Sequence, residues 1–269
     1  MLDNKQHYLQ IALNSTLSEA RNIISQIPLD KRIILEAGTP LIKECGIRGI
    51  KEIRSYWEQR IFGYGANPQV AQNNSLASFL IEQLRKRAIN TQEKQDFFHR
   101  NTSTKTTSVR LTPYIVADLK CMDRGVREVE IARQGGADAV TALGQAPIET
   151  LDAFIEKCTE CGLDSMIDMM NIDFSLSVLR KLKNMPKVVI LHRGVDEESF
   201  NPDKPLPFHE IQRIKNSCDV MIAVAGGDTF SEVQKAIFND ADIAVVWKSF
   251  YKSTSDTAKL AQEFLKEIR

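Results

Sequence analysis

The segment Asp118-Leu-Lys120-Cys-Met-Asp123 follows the apolar run Tyr114–Ala117 and places three ionisable groups within six residues. In extended backbone, positions 118 and 120 face the same way. A carboxylate and an ammonium are then side by side, each favouring the charged form of the other. Taken alone, such a pair could simply close the end of a strand. Other apolar runs, however, also end in polar or ionisable residues: in chain order Asn14, Glu36, Thr141, Asp168, His192, Gly226–Gly227 and Lys248. Glu36 ends the run that precedes the one carrying Asp118. Adjacent parallel strands lie about 5 Å apart, so Glu36 and Asp118 could share one hard divalent cation. Mg2+ is typically held by one or two carboxylates, with waters and substrate oxygens completing its shell. Gly226 and Gly227 sit between an apolar run and a helical pattern with Thr229 near its start. Small residues there let backbone N–H groups approach a phosphate.

These residues need a scaffold that brings the ends of several strands together. Eight strand-like runs are legible: Tyr8–Leu13, Arg32–Glu36, Tyr114–Leu119, Ala139–Ala142, Ser165–Asp168, Val188–Leu191, Val220–Val224 and Ile243–Val246. Eight stretches with helical apolar spacing alternate with them: Leu17–Ile27, Gly46–Tyr56, Val126–Gln134, Ile148–Cys161, Phe174–Lys183, Phe208–Asn216, Ser231–Phe238 and Thr257–Ile268. Thr16, Asp173 and Thr229 precede helical patterns as N-caps. Gly135, Gly136 and Gly162 follow such patterns, where a left-handed residue commonly ends a helix. Strict alternation implies right-handed βαβ units and a parallel sheet. Eight units give a (β/α)8 barrel, an α/β TIM barrel; an open doubly wound sheet shares the local pattern, and the polar strand ends favour the barrel. In a barrel those ends line the active site, and a phosphate site often follows strands seven and eight.

One segment interrupts the alternation. Between the second helix and the third strand lie roughly fifty extra residues, 58–112, within a single barrel domain of 1–269. They open on Gly63-Tyr64-Gly65, carry a helical pattern at Ser75–Ala88 and a polar tract at Asn101–Ser108, and hold eight basic against four acidic residues. As a helix-to-strand connection, the insertion should emerge opposite the catalytic face. It reads as a mobile decoration, as a contact for an oligomer or partner, or as a substrate lid, the last being on the wrong face.

Composition narrows the class. The 269 residues carry 35 basic and 35 acidic side chains, and 43% are apolar, as in ordinary globular proteins. Neutrality argues against nucleic acid or an anionic membrane as the main partner. The run Arg85–Arg87 reads as a solvated helix face, with no aromatic-rich nucleic-acid motif beside it. No apolar run approaches the ~20 residues of a membrane span, and the N-terminus lacks the pattern of a secretory signal. Five scattered cysteines, Cys45, Cys121, Cys158, Cys161 and Cys218, read as reduced thiols of a cytoplasmic protein. Cys158-Thr-Glu-Cys161 is a single pair in a helical pattern and reads as structural. Cys121, inside the loop with Lys120, is a candidate sensitive thiol. His7, His99 and His209 lie outside the strand-end set and read as surface residues.

Taken in register, LQIALN, ILEAGTPLIKECGI, IVADLKCMDRG, GGADAVTALGQAP, MIDMMN, LHRGVDEE and IAVAGGDTF closely resemble the 3-hexulose-6-phosphate synthase branch of the orotidine-monophosphate decarboxylase superfamily. The D-x-K-x-x-D element marks the superfamily; EAGTPLIK and H-x-G-x-D mark the branch. Keto-gulonate-phosphate decarboxylases look similar but usually carry arginine where this chain has Val195, which favours an aldolase. The resemblance implies that Glu36 and Asp118 bind Mg2+, which stabilises the enediolate of a ketose phosphate such as D-ribulose 5-phosphate. His192 would be the general base, since imidazole titrates near operating pH. Lys120 would stabilise the developing oxyanion. Asp123 would reach into the neighbouring subunit's site of a homodimer. Asn14, Asp168, Gly226, Gly227 and Lys248, with Glu36, would contact the substrate. The enediolate would attack formaldehyde to give a 3-hexulose 6-phosphate, or the reverse. The chain departs from the pattern in three places: Asn14 replaces an aspartate, Trp247–Lys248 replaces Gly-Arg or Gly-Gly, and the insertion has no counterpart. A decarboxylase of the same superfamily, and a non-catalytic paralogue that binds a partner through its insertion, are the alternative readings.

Overall fold

The computed structural model describes residues 1–63, 111–252 and 256–268. The barrel unit comprises Met1–Phe62 and Leu111–Arg269. Its strands are β1 (Tyr8–Leu13), β2 (Ile33–Ala37), β3 (Ile115–Cys121), β4 (Ala139–Leu143), β5 (Asp164–Asp168), β6 (Val188–His192), β7 (Met221–Ala225) and β8 (Ile243–Val246). They close in sequence order, β1 pairing in parallel with both β2 and β8. The described helices are α1 (Leu17–Gln26), α2 (Thr39–Cys45), α3 (Ile47–Phe62), α4 (Gly125–Gly135), α5 (Ile148–Cys161), α6 (Leu176–Leu179), α7 (Val195–Phe200), α8 (His209–Lys215), α9 (Phe230–Phe238), α10 (Lys248–Lys252) and α11 (Thr257–Glu267). The barrel expected from strand and helix alternation is therefore the fold. None of the described helices is long and apolar enough to cross a membrane.

Alternation along each strand divides the core in two. Leu9, Ile11 and Leu13 of β1 face outward and pack with Ile33, Leu35, Ile50, Ile53 and Trp57 beneath the helices. Tyr8 and Ala12 face inward, with Ile34, Val116, Met166, Val188, Ile190 and Met221 from other strands. Continuing the inward set toward the C-terminal ends gives Glu36 two residues beyond Ile34, Asp118 beyond Val116, Asp168 beyond Met166 and His192 beyond Ile190. The barrel interior is thus a packed apolar plug whose upper layer is ionisable. The hydrophobic layer fixes the register of every strand, because a slip of one residue would turn the ionisable set outward.

Several local expectations need correction. The second helical pattern, expected to end at Tyr56, runs to Phe62, so the segment expected from residue 58 leaves α3 only after Phe62. Trp57, 1% exposed, continues the buried face of α3 and keeps the helix going. The Ser75–Ala88 helix, the Asn101–Ser108 tract, His99 and most of the segment's charges lie outside the described residues. Thr16 and Thr229 do cap α1 and α9, each in a reciprocal capping box with the glutamate three residues on. Asp173 does not cap: the expected helix Phe174–Lys183 contracts to Leu176–Leu179, preceded by Ser175. Gly136 and Gly162 take left-handed conformations and end α4 and α5, whereas Gly135 is still helical. The short helices α2, α7 and α10, on the loops after β2, β6 and β8, were not legible as separate elements.

Candidate active site

The ionisable layer opens into a cavity of about 350 Å3, within the range of small-molecule sites. Asn14, Glu36, Asp118, Lys120, Thr141, Asp168, His192, Gly226 and Lys248 all line it. The structure thus gathers nine of the eleven expected site residues into one space. The other two lie elsewhere. Gly227 is not among the cavity-lining residues. Asp123 faces a separate surface recess beside Arg127 and Glu149, and its Oδ1 accepts from the Arg124 N–H at 2.7 Å.

Asp118 and Lys120 converge by a route that simple alternation does not describe. The pairing of β3 with β4 shifts register between Ala117 and Cys121, and Lys120 takes a φ of 47°. Such a bulge re-aims side chains at the rim of a barrel. The Lys120 Nζ reaches Asp118 Oδ2 at 3.1 Å and Asp168 Oδ2 at 2.9 Å. Thr39, the first residue of α2, donates its hydroxyl to Asp118 Oδ2 at 2.8 Å. Before Thr39, Gly38 lies under Asn14: a Cβ there would come within 1.7 Å of the Asn14 Oδ1.

Asp168, 1% exposed, joins the acid, the amine and the imidazole. It accepts from Lys120 Nζ, from His192 Nδ1 at 2.8 Å and, through Oδ1, from the Met170 N–H at 2.9 Å. Burial opposes ionisation of Asp168, but His192 and Lys120 outweigh it and hold the carboxyl below the usual aspartate range. In turn, burial disfavours the charged His192, and Asp168 outweighs burial to raise its pKa. Burial likewise works against the Lys120 ammonium, and Asp118 and Asp168 more than compensate. With Nδ1 held by Asp168, the His192 Nε2 is the nitrogen left to exchange a proton.

Glu36 is in a different state. Burial and the neighbouring Asp118 charge push its pKa up to about 7. Its Oε2 accepts from Gln10 Nε2, and Gln10 Oε1 is buried without a hydrogen-bond partner in the same cavity. Two nearby carboxylates that repel one another, with a spare amide oxygen beside them, are a donor set suited to a hard divalent cation. Among the described residues no group of three or more His, Cys, Asp or Glu side chains could hold a metal. A cation here would therefore take two protein carboxylates and complete its shell from substrate and water.

The opposite end of the cavity is built from the loops after β6, β7 and β8. Gly226 has a φ of 92°, and a Cβ on it would meet the Arg193 carbonyl oxygen at 2.1 Å. Asp228, which the strand-end reading passed over, accepts from the backbone N–H groups of Trp247 and Lys248. Lys248 begins α10 rather than ending a strand, and its ammonium pairs with Glu198 of α7. Gln10, Thr39 and Glu198 were missed as well. Alternation places Gln10 on the inward face with Ala12, a signal that was available; Thr39 and Glu198 belong to the unrecognised short helices. Cys121 is not poised to react: it is buried, which pushes its thiol up to about 11. His209 is on the surface, as expected.

A family model described as orotidine 5'-phosphate decarboxylase / HUMPS family matches residues 104–263. The bifunctional enzyme Fae/Hps of Methanocaldococcus jannaschii is 31% identical over 262 residues, covering 97% of this chain and 52% of the relative. The bifunctional enzyme Fae/Hps of Methanocella arvoryzae is 30% identical over 266 residues, covering 97% of this chain and 53% of the relative. The chain thus spans about half the length of these curated relatives. Among solved structures, 3-hexulose-6-phosphate synthase from Salmonella typhimurium has the same fold, with a TM-score of 0.67, 22% identity and coverage of 97% of this chain and 98% of that one. KGPDC from Streptococcus mutans gives a TM-score of 0.65 at 15% identity, covering 98% and 97%.

Proposed function

Because this chain belongs to the orotidine 5'-phosphate decarboxylase / HUMPS family, we propose that it is an aldehyde-lyase of the hexulose-phosphate synthase type. It joins formaldehyde to a ketose phosphate such as D-ribulose 5-phosphate to give a 3-hexulose 6-phosphate, or runs the reverse. The observation that carries this reading is the line of contacts His192–Asp168–Lys120–Asp118 across a cavity that Glu36 also lines. The Fae/Hps relatives support it from the side of sequence.

Each residue has a task in that chemistry. Glu36 and Asp118 would hold Mg2+. When bound, the cation supplies positive charge at the carbonyl and hydroxyl oxygens of the ketose and so favours the enediolate. His192 Nε2 takes the C1 proton, and Asp168 holds the ring in place and favours the imidazolium that results. Lys120, fixed between two carboxylates, keeps its ammonium charged and stabilises the oxyanion that forms as the new carbon–carbon bond closes. Asn14 and Val195 also line the cavity, and Val195 offers no cation to a carboxylate. Asp123 points away from its own cavity, as it must if it completes the site of a second copy in a homodimer.

The test is formaldehyde release from a 3-hexulose 6-phosphate by the purified chain. Activity should fall to background with EDTA and with Asp118→Ala, and Mg2+ should restore only the EDTA-treated enzyme. Full activity after metal stripping would sink the metal-assisted reading. Carbon dioxide release from 3-keto-gulonate 6-phosphate, without formaldehyde chemistry, would instead identify a decarboxylase.

A further inference from the structure

The end of the cavity at the loops after β7 and β8, where barrels commonly bind a phosphate, is lined by carboxylates that hold the Trp247 and Lys248 donors. Asp228 Oδ1 accepts from the Trp247 N–H at 2.7 Å, and its Oδ2 accepts from the Lys248 N–H at 3.1 Å. Glu198 takes the Lys248 ammonium. All four residues line the cavity. The Asp228 backbone is fixed too: its N–H donates to Glu232 at 3.1 Å, and its carbonyl accepts from the Ser249 hydroxyl at 2.7 Å. Arg193, the neighbouring cation, donates to the carbonyls of Gly226 and Lys204 at 2.7 and 3.1 Å and pairs with Glu232 at 3.3 Å and with Glu198 at 3.9 Å, while its Nε is buried without a partner. A phosphate dianion arriving at this end meets two like charges, and finds the Trp247 and Lys248 N–H groups and the Lys248 ammonium already held.

We propose that Asp228, together with Glu198, is a specificity-determining residue that weakens binding of a phosphate-terminated sugar. The phosphate gains the Trp247 and Lys248 donors only as the two carboxylates give them up. The inference rests on the ketose phosphate reading of this site. It predicts the opposite sign from a carboxylate that merely ties the loops after β7 and β8 together. Loss of a loop tie would loosen the cavity and weaken phosphate binding; loss of a competing anion strengthens it.

The experiment titrates inorganic phosphate into the full-length wild-type chain, Asp228→Asn and Glu198→Gln by calorimetry, and measures KM and kcat with D-ribulose 5-phosphate and formaldehyde. Removing one nearby like charge should tighten phosphate binding by about threefold or more in each variant, and further in the double variant. The gain should fall in KM. Unchanged or weaker phosphate binding in folded variants, as judged by their melting curves, would overturn the proposal. Should Asp228→Asn fail to fold, Glu198→Gln carries the same prediction, since that side chain pairs with an ammonium and holds no backbone group of the β8 loop. The titration needs no turnover. A chain that makes no hexulose phosphate would defeat the aldolase reading and leave the comparison of affinities to decide this one.

Discussion

Asp168 decides what the residues around it can do. A single buried carboxylate holds one ammonium and one imidazole, so the charges of Lys120 and His192 are both set by it. In the raised-pKa state His192 is protonated at a pH where a free imidazole would not be, and in the proposed mechanism only its neutral form accepts the C1 proton. The rate at limiting substrate should therefore rise with pH through a midpoint above the ordinary 6.5 of histidine. Asp168→Asn removes the carboxylate that raises that pKa. Its midpoint should shift downward while kcat also falls, on the order of a hundredfold, as ring orientation is lost. A pH profile of both proteins measures this; an unshifted midpoint would mean that His192 is not the titrating base.

At the scale of elements, the site depends on short features placed at strand ends. The bulge in β3 turns Lys120 beside Asp118, α2 delivers Thr39 to Asp118, and the β7 and β8 loops meet through Asp228. The long helices contribute stability rather than chemistry. Thr16 accepts from the Glu19 N–H at 3.3 Å, and Glu19 Oε2 in turn accepts from the Thr16 N–H at 3.4 Å. Thr16→Ala leaves the N-terminus of α1 without this cap and should cost about 1 kcal/mol of stability. Denaturant titration should show an earlier midpoint with an unchanged slope, and KM for the ketose phosphate should not move.

For the whole molecule, the outward Asp123 makes a prediction that a monomer cannot satisfy. If it completes the partner's site, His192→Ala and Asp123→Ala are each inactive alone, yet a mixed dimer holds one intact site. Equal mixing after subunit exchange should restore about a quarter of wild-type activity, half of one species at one-half occupancy. No recovery despite mixed dimers, shown by native mass spectrometry of differently tagged chains, would place Asp123 outside the neighbouring site.

Much of this architecture follows from patterns local in sequence. Two-residue alternation marks the strands of a barrel, three- to four-residue spacing marks the helices that cover it, and a barrel brings the C-terminal ends of its strands together. Glu36, Asp118, Asp168 and His192 were legible for that reason: each is an ionisable residue ending an apolar run. The hydrogen bonds among them were not, because they join residues far apart in sequence and depend on barrel closure. Nor could local pattern show the β3 bulge or the ammonium shared between Asp118 and Asp168. Asp228 is the clearest case. In sequence it is one more acid before a helix; only the folded barrel sets its carboxylate against two N–H groups nineteen and twenty residues away.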